Sequence, residues 1–487
     1  MLSQTNVKTI NQRCLELVRK LACIEKVRSE YCDPLLKWAK ETKDPPVSLE
    51  EDPVGLCWSL LREGGPLCHL LNKLRANTID SILPLDGELS SDLFLKSKAA
   101  RTNTETFLKA CKDDLYMTDV QMFALADLYS DNTNALTKAV DMAEKFMKKI
   151  YDTQRFNWDK KAKALMEECP ELYGSSEEPV AGSMKDRDKR LLVIDEMLDT
   201  ERKYVADLEL LHKFAEECRM DAVIDADTHA ALFSNLDKLL DFQRKFLITV
   251  EGPLGMAQKS LDASYKAHIG KLFIQAEVEF SVYDTFCANH KRASEVAEQE
   301  QAALAQLSRI MDPKAQLPSF LIKPIQRICK YPLLLRELIK MSAEDAPDLG
   351  ELKDAEAAMK RVGDKVNEKQ RKEENALVAA DFKGRVEDWK GVKESDLGEL
   401  LLSVPNLLVT QSAGDKQVEK ELMVLLFANV LIMAKEGKGS LTIATKLKRA
   451  KAATPLNIKG FIFMKQVILA EQVSGNVIRL AYRESDT

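Results

Sequence analysis

Between residues 188 and about 373 the chain runs in long stretches where apolar residues recur every three or four positions, with few glycines to interrupt them. A period near 3.6 sustained over that distance predicts long amphipathic helices packed along their apolar stripes. In Leu191 to Phe214 the stripe is Ile194, Leu198, Val205 and Leu208. Glu196, Lys203 and Asp207 fall about 180–220° round the helix from Ile194 and point away from it. Glu201 falls inside the stripe, where a carboxylate needs a partner, and is expected to serve the bundle rather than a ligand. From Leu317 a second stripe runs through Leu321, Ile325, Ile328, Leu335 and Ile339. Lys323, Gln326, Arg327 and Lys330 share the opposite face, a set of donors without an acid. Pro324 and Pro332 lie inside this periodicity, where a missing backbone donor tends to kink a helix. A third stripe joins Leu352, Ala355, Met359, Val362 and Val366, with Asn367 beside it. By periodicity alone, each of these polar faces is either solvated or a docking surface.

The flanks differ in kind. Residues 1–169 read as shorter helices separated by turn signals such as Pro45-Pro46 and Gly64-Gly65-Pro66. Residues 170–187, rich in Pro, Gly and Ser, read as a flexible linker. From about Leu397 the pattern changes to short β-type runs: Leu400–Leu402, Leu407–Val409 and Leu422–Phe427. The expected fold is therefore mostly α, with a helical domain over 1–169, a helical block over 188–373 and a β domain over 374–487.

Several chemistries are disfavoured. The ten cysteines contain no C-x-x-C pair and the five histidines are dispersed. Neither a disulfide framework nor a metal site is expected, and the cysteines read as small buried hydrophobes. No H-E-x-x-H, G-x-S-x-G or phosphate-binding loop occurs, and Asp131-Asn132-Thr133-Asn134 lacks the glycine and final glutamate of a calcium loop. Covalent catalysis and a bound cofactor are not expected. Lys plus Arg number 71 against 77 Asp plus Glu, a net charge of −6 that argues against a nucleic-acid partner. No apolar run approaches the roughly 18 residues of a membrane span, and Met1–Lys20 lacks a signal-peptide core, so a cytoplasmic protein is expected.

Two stretches carry a family resemblance: Val193-Ile-Asp-Glu-Met-Leu-Asp-Thr-Glu-Arg-Lys-Tyr-Val-Ala-Asp-Leu208 and Leu321-Ile-Lys-Pro-Ile-Gln-Arg-Ile-Cys-Lys-Tyr-Pro-Leu-Leu-Leu335. On these the middle block resembles the Dbl-homology domain of Rho-family guanine-nucleotide exchange factors, an elongated all-helical bundle. The resemblance implies that Glu196 meets the first switch of a small GTPase, that Gln326 and Lys330 face the second, and that Asn367 corresponds to the family's asparagine near the end of the last long helix. The implied partner is a Rho-family GTPase in its nucleotide-free or GDP state, with no cofactor and no covalent step. Gly398–Val404 and Glu421–Met433 resemble the opening strands of a pleckstrin-homology domain; its closing elements are missing before Thr487, so this domain is expected to be incomplete. Between Gly437 and Ala470 seven Lys and Arg occur without an acid. Lys446, Lys448, Arg449 and Lys451 are the candidates for anionic lipid, the alternative being a solvated insertion. Residues 50–150 resemble a calponin-homology domain through Trp58–Cys68, Asn103–Cys111 and Leu125–Val140. The domain order resembles that of fungal cell-polarity exchange factors, which implies recruitment to the cortex at sites of polarised growth and polarity scaffolds as further partners. The rival readings are a non-catalytic scaffold that binds GTPase, lipid or cytoskeleton, and an actin crosslinker, disfavoured because a single calponin-homology domain is present.

Overall fold

A computed structural model describes residues 8–42, 47–84, 93–174, 188–258, 260–413, 416–436 and 454–483. The expected linker over 170–187 lies outside the described residues from 175 on, and so do Lys446, Lys448, Arg449 and Lys451. The longer helices are α1 (Ile10–Leu21), α2 (Asp33–Glu41), α3 (Pro53–Arg62), α4 (Gly65–Leu74), α5 (Lys98–Leu115), α6 (Thr133–Gln154) and α7 (Trp158–Glu168). They continue with α8 (Lys189–Met220), α9 (Leu236–Ala257), α10 (Val282–Gln299), α11 (Lys323–Lys340) and α12 (Leu349–Arg385). Side-chain caps set many of their starts. Thr9 and Gln12 close a capping box on α1, Asn132 accepts from Asn134 N at 2.8 Å before α6, and Asp188 accepts from Arg190 N at 2.7 Å before α8. Asp131 and Asn132, the faint calcium loop of the sequence, are thus occupied by an ion pair to Lys245 and a helix cap.

The chain packs as two compact units, Met1–Tyr283 with Val296–Val362, and Asp284–Glu295 with Gly363–Thr487. In the first, the N-terminal helices enclose an apolar core that includes Leu17, Leu60, Leu71, Phe107, Leu136 and Ile150. Most of the cysteines are buried, Cys23 and Cys169 are half-buried, Cys329 is exposed and all are free thiols. In the helical block the expected stripes of α8 and α12 are buried. That of α11 is displaced: its buried residues are Pro324, Arg327, Ile328, Tyr331, Leu335 and Leu338, leaving Ile325 and Ile339 half-buried. Pro324 lies in the first turn of α11, after the chain breaks helix at Ile322, so it starts a helix rather than kinking one. Rings of Phe246, Phe273, Phe280 and Tyr331 meet at centroid distances of 5.1–5.9 Å in the centre of this block.

The N-terminal helices and the bundle share one seam, laid along a single face of α9 at helical spacing. Asp241 accepts from Thr133 N and Oγ1 at 2.8 and 2.7 Å, capping α6 from outside its own sequence. Lys245 pairs with Asp131 at 2.9 Å, and Arg244 bonds Asn134 and pairs with Glu209 of α8. Glu251, 6% exposed, accepts from Thr9 Oγ1 at 3.0 Å, Asn11 Nδ2 at 2.5 Å and Arg202 Nε at 2.7 Å. Ile248 packs into the N-terminal core between them.

Glu63, at the C-terminal end of α3, is 1% exposed and its Oε1 has no hydrogen-bond partner among the described residues. Burial pushes this carboxyl well above its ordinary range. An acid held protonated in the folded state but not in the unfolded one gives stability that is greatest below the unfolded value and falls as pH rises toward the folded one. Glu63→Gln should therefore raise Tm at neutral pH, with the gain shrinking toward pH 5; a gain that does not change with pH would show that the carboxyl ionises freely in place.

In the second unit, four antiparallel strands form a sheet in sequence order, β1 (Leu400–Ala413), β2 (Lys416–Phe427), β3 (Val430–Glu436) and β4 (Leu456–Phe463). A separate hairpin follows, β5 (Val467–Ser474) and β6 (Val477–Tyr482). Phe382 near the end of α12 packs with Phe427, Leu425 and Ile432 in the core of this unit. Helix α12 continues without a break through residue 373 to Arg385.

Candidate functional site

The register of α8 against α11 is set by one buried ion pair. Glu201 is 2% exposed and Arg327 5%; Arg327 donates to Glu201 Oε2 through Nε at 3.1 Å and through Nη2. Tyr331 OH reaches the same carboxylate at 3.1 Å, and Gln243 Nε2 of α9 bonds both the carboxylate and the Tyr331 hydroxyl. Tyr283 OH donates to Gln243 Oε1 at 2.7 Å, and its oxygen lies 3.0 Å from Tyr204 OH. Burial pushes the Tyr331 and Tyr283 phenols up, so both stay protonated donors at physiological pH. Each carboxylate oxygen of Glu201 is thus satisfied, the condition under which a charge tolerates a dry interior. The partner expected for Glu201 is Arg327, a residue the sequence reading had placed on the exposed face.

That pair aligns the polar residues around it. Glu196 lies five residues before Glu201 and is exposed; Gln326 and Lys330 flank Arg327 on the outer face of α11 and are exposed too. Thr200 links the two helices, its Oγ1 accepting from Arg327 Nη1 at 2.9 Å and donating to the Glu196 carbonyl at 2.6 Å. Among the described residues neither Glu196 nor Lys330 has an ion-pair partner. The donor face drawn from sequence is therefore half as large: Arg327 is buried, and Lys323 pairs with Asp207 at 2.8 Å while lying over the Phe320 ring. Two neighbours on the same face escaped the sequence reading. Leu333, 53% exposed, sits one turn beyond Lys330, and Cys329 lies between Gln326 and Lys330. An apolar residue left in water at helical spacing from two exposed polar ones was the available signal. Asn367 is exposed on α12 beside the buried Val366 and belongs to the second unit.

The only candidate metal cluster among the described residues is His212, Glu216 and Asp237, where Arg219 already engages Glu216 and His212 lies 3.0 Å from Asp237. Among the described residues, no helix is long and apolar enough to cross a membrane.

Residues 193–367 match the RhoGEF domain, residues 52–147 the CDC24 calponin domain and residues 395–486 the pleckstrin homology domain. The chain carries a RhoGEF (Dbl-homology) domain between the other two, in the order calponin, RhoGEF, pleckstrin homology. Among its relatives is the Rho guanine nucleotide exchange factor scd1 of Schizosaccharomyces pombe, 29% identical over 470 residues, which are 95% of this chain and 51% of that protein. Another is Cell division control protein 24 of Saccharomyces cerevisiae, 30% identical over 397 residues, 80% of this chain and 43% of that protein. The chain spans about half the length of these curated relatives. A solved complex of PDZ-RhoGEF DH/PH domains with activated RhoA is similar at TM-score 0.46 and 20% identity, over 61% of this chain and 85% of that one.

Proposed function

We propose that this protein stimulates GDP release from a Rho-family small GTPase, using the outer face of α8 and α11. The observation that carries the reading is the exposed Glu196 and Lys330, without ion-pair partners among the described residues, on helices of a RhoGEF domain whose register is locked by Glu201 and Arg327. Exchange needs no acid, base or nucleophile in the exchange factor. It needs a surface that binds the GTPase better without nucleotide than with it, and by linkage each ligand then weakens the other by the same factor. Glu196 holds the first switch in a form that no longer supports the GTPase's own magnesium site. Gln326 and Lys330 anchor the second switch, and Asn367 adds a contact from α12. Incoming GTP then displaces the exchange factor. Release of a fluorescent nucleotide, measured against a small panel of Rho-family members, tests this. Acceleration of at least one member is expected, and no acceleration of any would leave a binding scaffold.

The basic segment around Lys446, Lys448, Arg449 and Lys451 supports recruitment to an anionic membrane at the cortex, where polarity scaffolds would be further partners. Each Lys or Arg near an anionic surface contributes about 1 kcal/mol, less at high salt. Replacing all four by glutamine should weaken binding to phosphatidylserine vesicles in proportion to their anionic content; unchanged binding would mean a solvated segment.

A further inference from the structure

Where the N-terminal helices meet α8, the seam leaves a cleft of about 940 Å3. Its floor is apolar, with Ile10 and Leu17 from α1, Met147 from α6, Val205 and Leu210 from α8, and Leu247 from α9. Charged side chains ring that floor, and the acids among them are all engaged within the fold. Glu16 pairs with Lys8 at 2.6 Å, Glu144 with Arg13 at 2.6 Å, Asp159 with Lys20 at 2.8 Å, Asp207 with Lys323 at 2.8 Å and Glu209 with Arg244 at 2.8 Å. The cations Arg13, Lys8, Lys20 and Arg202 are engaged as well, the last with Glu251. Lys148 of α6 and Lys203 of α8 are different: both are exposed, and neither has an ion-pair partner among the described residues.

The cleft thus combines an apolar floor with two uncompensated cations, one from each side of the seam. We propose that it binds an acidic amphipathic peptide segment of a partner protein, with carboxylates on Lys148 and Lys203 and apolar side chains on the floor. The volume suits several side chains. A free phosphate would fill little of it and gain nothing from the apolar floor. A nucleic acid carries a charge at every nucleotide and would find only two free cations here, and a bilayer surface does not enter a concave site. Because Lys148 and Lys203 come from separate parts of the sequence, the site exists only while the N-terminal helices stay docked on α9. Lys203 also lies two turns from Glu196 on the same side of α8, so a bound segment sits beside the proposed GTPase face. The proposal rests on the seam and the cleft, and stands or falls independently of exchange.

The test uses the full chain and a short fluorescein-labelled helical peptide with Glu on one face and Leu and Phe on the other, followed by anisotropy. Saturable binding is expected, weakened about tenfold or more by Lys148→Glu with Lys203→Glu, which corresponds to two lost charge contacts of modest strength. Lys314→Glu, an exposed change off the cleft, should leave the affinity alone, and a peptide with Lys in place of Glu should not bind. No saturable binding, equal affinity for the double variant, or an equal loss in Lys314→Glu each overturns the proposal. Lys148→Gln and Lys203→Gln, with melts alongside, repeat the measurement should the charge reversals disturb folding.

Discussion

Glu201→Ala is expected to lower the stability of the bundle by about 3–5 kcal/mol, because it leaves the Arg327 guanidinium buried without its carboxylate. For a unit of this size that corresponds to a fall in Tm on the order of 10 °C. The loss does not stop at one pair. Tyr331 and Gln243 lose their common acceptor, and the bonds that pass from Gln243 to Tyr283 then have one anchored end. Arg327→Ala should cost as much for the opposite reason, leaving a carboxylate at 2% exposure. Replacing both partners with apolar residues of similar size, as in Glu201→Leu with Arg327→Met, should recover part of the loss, since the price of two desolvated charges then disappears while Tyr331 and Gln243 still lack that acceptor. Circular dichroism melts of the three variants decide the matter. A Glu201→Ala protein that melts with the parent but no longer accelerates exchange would make Glu201 a GTPase contact and not the register pin of α8 and α11.

What the sequence made legible follows from how each signal is written in it. The stripes of α8 and α12 were readable because every position obeys one period, and their residues are buried as expected. The stripe of α11 was misplaced because Arg327 counts as polar in any pattern, although its stem and head fill the core once Glu201 neutralises it. Partnership between residues 126 positions apart has no local signature. Glu201 itself was legible as an anomaly, a carboxylate among apolar neighbours, though its partner was not. The seam on α9 was wholly illegible. Asp241, Arg244, Lys245 and Glu251 share a face at helical spacing, which reads as ordinary solvated surface. Only packing shows that Thr133, Asn134, Asp131, Thr9 and Asn11 lie against it. The exposed set Glu196, Gln326 and Lys330 was placed by face arithmetic in agreement with the structure, but its role came from family resemblance. No physical feature of an exposed glutamate distinguishes a docking residue from a solvated one until a partner is present.

The complementary expectation is that Glu196→Ala and Lys330→Ala each reduce exchange by roughly thirty-fold or more while leaving the melt within about 1 kcal/mol of the parent. Both side chains are exposed and have no ion-pair partner among the described residues, so truncation breaks no ion pair there and opens no cavity. In the proposed complex each meets a switch segment in an interface that excludes water, where losing one member of a charge-assisted pair costs about 2–5 kcal/mol. Asn367→Ala should follow the same pattern with a smaller loss, because it forfeits a neutral hydrogen bond. The exposed Cys329 between Gln326 and Lys330 gives an independent readout. An environment-sensitive dye on that thiol should change its emission when nucleotide-free GTPase is added, and Lys330→Ala should shift the response to higher GTPase concentration. Charge reversal sharpens the distinction from a merely structural role. Glu196→Lys should abolish exchange, and Glu196→Gln should retain part of it through the remaining hydrogen bond. If Glu196→Ala exchanges nucleotide at the parent rate, or melts as early as Glu201→Ala, the outer face of α8 is not the surface that the GTPase meets.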